Sequence, residues 1–132
     1  MPQTKVIFFQ EAPGKSPVIQ WLLELSRSDK KAYEKCVAAL ERLAEFGHEL
    51  RRPIADYLRD GMYELRVQRG RVNYRVLYFF HGRQIAVLVA AFTKEDSIPP
   101  QEIERAIKRK QLFEQDPEGH SHEEPQETSR PH

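Results

Sequence analysis

The chain has 132 residues, 39% hydrophobic and 31% charged, a composition that fits one globular domain with a very polar surface. No stretch approaches the ~20 apolar residues of a membrane span, and "MPQTKVIFFQEAPGK" lacks the basic start and long apolar run of a secretory leader. A cytoplasmic protein that does not engage a membrane is therefore expected. The single Cys36 cannot form an internal disulfide, which fits a reducing compartment, and no Cys/His spacing resembles a metal site.

Along the chain, "KVIFF" (5–9) has the pattern of a short strand. Ser16 and Pro17 then give an N-cap and a first helical position for "PVIQWLLELS", with a second cap expected at Ser28. From there Tyr33, Cys36, Val37, Leu40, Leu43 and Ala44 recur at helical spacing, and Gly47 supplies the stop. These two amphipathic helices form an α-hairpin, with Trp21 and Cys36 on the apolar stripes as core residues. Residues 48–61 read as a linker. A β-hairpin follows over "YELRVQRGRVNYRVLY" (63–78), then an apolar run over 84–93 that reads as a central strand. A last helix spans 97–113, entered through Ser97 and two prolines. Residues 114–132 are acidic and poor in apolar side chains, and are expected to be a disordered tail. The order is β-α-α-β-β-β-α, an α+β domain over residues 1–113 with a small, largely antiparallel sheet and its helices to one side.

Charge singles out the hairpin. The net +1 hides an acidic end, for the first 113 residues hold 20 basic and 14 acidic groups. Residues 51–83 carry eight arginines, no lysine and three acids, which points to an anionic partner. A two-residue turn at Gly70-Arg71 pairs Tyr63 with Tyr78, Leu65 with Val76 and Val67 with Tyr74 on one face. It sets Arg66 against Arg75 on the other. A second two-residue turn at Gly82-Arg83 would pair Val76 with Val89 and Tyr78 with Val87. Phe92 and Lys94 would then share the face of Arg66 and Arg75. Two arginines directly opposite each other repel, by a few tenths of a kcal/mol up to ~1 kcal/mol, so an anion between them is expected. A phosphate held by two guanidinium forks would serve, and so would Glu64, diagonal to Arg75. Arg69 and Arg71 fall at the turn, solvated or touching more distant phosphates. Tyr63, Tyr74 and Phe92 are candidates for stacking on bases, with core packing the competing role of each.

The same residues carry a resemblance. "LRDGMYELRV", "NYRVLYFF", "VAAFTKED" and "PPQEIERAIKR", within residues 58–109, together resemble the RelE/HigB superfamily of toxin–antitoxin toxins, and its phage-associated HigB-like branch most of all. The resemblance implies a ribosome-dependent endonuclease that cuts messenger RNA without a metal or other cofactor. It also implies a cognate antitoxin, often a small helix-turn-helix protein. On this pattern Arg66 and Arg75 would bind and neutralise the scissile phosphate, and Lys94 would stabilise charge or assist proton transfer. Glu95 stands where many branch members carry a second basic residue. No counterpart of a C-terminal catalytic tyrosine and no His pair is evident. A non-catalytic binding module of the same fold, gripping RNA or a protein target such as gyrase, is therefore the rival expectation.

Overall fold

The computed structural model describes residues 4–94 and 97–122. Its elements are β1 (Lys5–Phe9), α1 (Pro17–Ser28), α2 (Lys30–Phe46), β2 (Ala55–Arg59), β3 (Met62–Arg69), β4 (Val72–His81), β5 (Ile85–Lys94), α3 (Pro100–Gln115) and β6 (Ser121–His122), with a 3₁₀ turn at Gly47–Glu49. The six strands form one sheet in the order β2-β3-β4-β5-β1-β6. Among the described residues only β1 and β5 run parallel; the other pairs are antiparallel. The α+β class and the sequence of the larger elements agree with expectation.

Local chemistry explains the helix boundaries. The Ser16 side chain accepts from the Ile19 N–H, and Pro17 opens α1. The cap between the helices is Asp29 rather than Ser28. Its carboxylate accepts from the Ala32 N–H at 3.2 Å, while its own N–H closes α1 on the Leu25 carbonyl. Gly47 ends α2 at φ 53°, against Thr4, where a Cβ would lie 2.1 Å from the Thr4 hydroxyl oxygen. Glycine is therefore required there on two counts.

The helices do not lie to one side. Alternation along the strands gives the sheet two apolar faces, and each is covered. Phe8, Leu65, Tyr74, Val76, Tyr78 and Leu88 pack with Val18, Leu22, Cys36 and Leu43 of the α-hairpin. On the opposite face Phe9, Met62, Leu77, Phe79, Val87 and Phe92 pack with Ala106 and Phe113 of α3. A sheet apolar on both sides needs two covers, which the continuous apolar run of β5 already implied.

Two further strands correct the linker and the tail. Within 48–61, β2 pairs with β3 through a turn at Asp60 and Gly61, both at positive φ (54° and 78°), as a two-residue hairpin turn requires. Beyond Glu114, α3 continues to Gln115, and β6 lies on the open edge of β1, Phe9 opposite Ser121. The His120 ring stacks on Phe9 at 5.4 Å, and its Nδ1 is 2.8 Å from the Gln10 carbonyl oxygen. The segment from Glu114 to His122 is thus part of the folded body. The remainder of the expected tail, 123–132, lies outside the described residues.

The β4–β5 connection also departs from the expected register. The loop has three residues, 82–84, so that Tyr78 faces Leu88 rather than Val87. A bulge then leaves Val89 as an extra residue, and beyond it Leu77 faces Ala90 and Val76 faces Ala91 rather than Val89. The loop shifts the register by one and the bulge by one more. The two shifts leave Phe92 directly opposite Arg75, on the face where alternation had placed it.

Candidate anion-binding site on β3 and β4

The β3–β4 pairing has the register read from the sequence. Gly70 takes φ 64° in the turn, Tyr63 faces Tyr78, and Arg66 faces Arg75. The anion between the two guanidinium groups is the Glu64 carboxylate. Arg75 Nη1 donates to Glu64 Oε2, and Arg66 Nε lies 3.8 Å from the same oxygen. Glu64 sits one pair along from Arg66 on the same face, the diagonal position from which a side chain reaches its cross-strand neighbour.

Burial separates the two arginines. The side chains of Arg75 and Glu64 are each 7% exposed, whereas that of Arg66 is 39% exposed. Arg75 and Glu64 are therefore a buried pair, whose separation would strand a charge inside the fold at a cost of about 3–5 kcal/mol. Arg66 shares the carboxylate at longer range and keeps much of its guanidinium in solvent. Of the two, Arg66 is the group open to an external anion, and Arg75 holds Glu64 beside it.

The remaining candidates take varied positions. Lys94 is paired with Asn73 in the strand register, two residues beyond Phe92, and Glu95 lies outside the described residues. Arg69 is not simply solvated. Its Nε donates to Asp29 Oδ2 at 3.1 Å, tying the hairpin to the helix junction, and the Tyr74 hydroxyl lies 3.5 Å from the same oxygen. The Asp29 carboxyl is held below its usual range, first by the Ala32 N–H and then by Arg69. Arg71 is exposed in the turn.

The aromatic candidates belong mainly to the cores. Tyr74 and Phe92 are 6% and 9% exposed, and Tyr74 packs against Trp21. Tyr63 is wedged among Tyr57, Tyr78 and Phe80, with ring centroids at 5.1–5.4 Å. The ring with a free face is Tyr57 on β2, 53% exposed, which was hidden in the segment read as a linker. Two of the histidines also pack against aromatic rings. His48 stacks on Phe80 at 3.6 Å, and His81 meets Phe113 edge-on at 5.1 Å. Burial pushes the Cys36 thiol up to about 12, as befits a packed core residue. Among the described residues no group of three His, Cys, Asp or Glu side chains is gathered to hold a metal ion. No helix among them is long and apolar enough to cross a membrane.

One residue that sequence reasoning missed holds the bulge of β5. Arg109 of α3 donates through Nη1 to the carbonyl of Val89 at 2.7 Å, and its Nη2 lies 3.7 Å from Glu11. A bulge leaves a backbone group without its ladder partner, and this guanidinium supplies one. Burial lowers the Arg109 pKa, and Glu11 opposes that shift. The sequence signal was a basic residue among apolar positions of α3, which by itself does not identify a bulge as its target.

No curated protein matches the chain. A family profile does, that of the phage-derived protein Gp49-like family (DUF891), over residues 21–111. The match takes in α2, all four strands from β2 to β5 and most of α3, and so contains Glu64, Arg66, Arg75, Lys94 and Arg109. The chain belongs to the Gp49-like family of phage-derived proteins, a RelE/HigB-like toxin family.

Proposed function

We propose that the protein is the toxin of a toxin–antitoxin pair and acts as a ribosome-dependent messenger-RNA endonuclease. The observation that carries this reading is the half-exposed Arg66 guanidinium beside the buried Glu64–Arg75 pair, inside the segment that matches a toxin family. In the reaction a ribose 2′-hydroxyl attacks the adjacent phosphorus and the 5′-oxygen leaves, giving a cyclic phosphate and a new 5′-hydroxyl end. Negative charge gathers on the phosphate oxygens as this occurs, and a guanidinium stabilises it through forked hydrogen bonds. Arg66 is the phosphate ligand. Arg75 adds positive potential and fixes Glu64, and Lys94 from the end of β5 assists with charge or the leaving group. A guanidinium stays protonated near neutral pH, so neither arginine removes the hydroxyl proton. The partners are the ribosome with its messenger and a cognate antitoxin, a small helix-turn-helix protein.

Induced expression with mapping of new 5′ ends tests the reading. The wild-type chain should arrest growth and produce cuts that depend on translation. Arg66→Ala should remove both while leaving stability within about 0.5 kcal/mol, since the side chain is partly exposed and its ion pair with Glu64 is long, at 3.8 Å. Cuts persisting unchanged in Arg66→Ala would dismiss the phosphate role. The rival is a non-catalytic binding module. It is favoured by Glu64 standing between the arginines. Growth arrest with no new 5′ ends would establish it.

A further inference from the structure

β2 begins at Ala55, opposite Leu65, so among the described residues the outer edge of β3 from Arg66 onward has no neighbouring strand. The last tie is the Arg66 N–H donating to the Ile54 carbonyl at 2.7 Å. Beside this uncovered edge a cleft of about 540 Å³ opens between β3 and α2. Arg66, Val67 and Gln68 form one wall, Lys35 and Arg42 of α2 rise on the other, and small apolar side chains, Ala38 and Ala39 among them, lie between.

We infer that this cleft is a second phosphate subsite, where Lys35 and Arg42 bind the backbone of a single-stranded RNA that passes round the open edge of β3 to reach Arg66 on the other face of the sheet. The inference rests on the phosphate role proposed for Arg66 and extends it to residues that neither the hairpin pattern nor the resemblance singles out. Lys35 and Arg42 are seven residues apart, two turns of helix or about 10.5 Å, and so lie on one face. Both are exposed, and among the described residues neither has a carboxylate within ion-pair distance. Arg42 instead lies over the Phe46 ring at 5.6 Å, which steadies the guanidinium while leaving its charge unneutralised. One small anion cannot reach across two helical turns, whereas successive phosphodiesters of an extended strand can. The alanines between the cations offer no deep pocket for the alternate side chains of a peptide strand. A repeating polyanion lying over a shallow cleft whose charged lining residues are all basic is the better fit.

The test measures binding of the full chain to a short single-stranded RNA, 2′-O-methylated so that cleavage cannot intervene, over a range of salt. Each phosphate contact on a single strand contributes about 0.7 to the slope of log affinity against log salt. Lys35→Ala/Arg42→Ala should lower that slope by about 1.4, Arg66→Ala by about 0.7, and the charge-conserving Lys35→Arg/Arg42→Lys should leave it unchanged. Both pairs of substitutions are on an exposed helix face, and matched circular dichroism melts confirm that the variants are folded. An unchanged slope in the double alanine variant overturns the subsite. If Arg66→Ala still lowers the slope in that case, the cleft alone is refuted. If neither variant lowers it, the phosphate role of Arg66 falls too. Should the double variant keep its RNA slope but lose binding to a poly-glutamate peptide, the cleft serves a protein partner and the inference is wrong.

Discussion

The β3–β4 hairpin turns on two residues and keeps one register through all eight of its pairs, whereas β4–β5 turns on three and changes register at Val89. Both use the same central strand, β4. They differ in where their support comes from. The first hairpin carries its own counter-ion, since Glu64 of β3 neutralises Arg75 of β4 across the ladder. The second depends on another element, because the carbonyl of its bulged residue is satisfied by Arg109 of α3. A regular turn transmits side-chain alternation unaided, while an irregular one requires a second irregularity and a partner to hold it.

Substitutions on each hairpin sharpen this contrast. The largest effect should come from Glu64→Gln, which removes the carboxylate charge from the buried Arg75 guanidinium and should cost about 3–5 kcal/mol in urea unfolding. Next is Arg109→Ala, which removes a charged donor from the bulge carbonyl. A loss of about 1.5–3 kcal/mol is expected. Amide exchange around Val89 should quicken in this variant while that of Val67 and Tyr74 stays protected. Equal quickening of both hairpins would show that the second does not depend on α3 in the manner argued. Gly70→Ala is smaller: a Cβ there meets nothing within 4 Å, so only the positive φ is penalised, by about 1 kcal/mol.

The smallest effect is a pH dependence at the point where the first hairpin touches the helix junction. The Asp29 carboxyl is lowered when folded, by the Ala32 N–H first and Arg69 second. Its contribution is therefore present above its ordinary, unfolded pKa and fades as pH falls through the lowered folded value. Stability measured for wild type and Asp29→Asn should differ at neutral pH and converge in acid. Parallel curves down to the lowest pH would remove Asp29 from the account.

The contrast also explains what could be read from the sequence. The α-hairpin was legible because Ser16, Pro17 and Gly47 punctuate a helical apolar period. The Arg66–Arg75 pairing was legible because Gly70 fixes a turn and alternation does the rest. β2 was not, since Asp56, Tyr57 and Arg59 make an edge strand look like a polar loop, although Asp60-Gly61 was a hairpin signal. The face of Phe92 was reached correctly through a wrong register, because loop and bulge each added one residue. Of the candidate site, the arginine pair was visible, and Glu64 was visible as a possible partner. The burial that makes Arg75 internal and leaves Arg66 open depends on α3 and β5, and no local pattern records it. The same holds for Lys35 and Arg42, whose proposed role emerges only when α2 lies beside the open edge of β3.

The extra residue at Val89 has a consequence for chain length. Because two residues there share one place in the ladder, a single deletion at Val89 would restore plain alternation and leave Phe92 facing Arg75. A residue removed instead between Ile85 and Leu88 would turn over every side chain on one side of the gap. β5 thus has one position at which the chain can shorten without rearranging what it presents to Arg75, and that position is the one Arg109 holds.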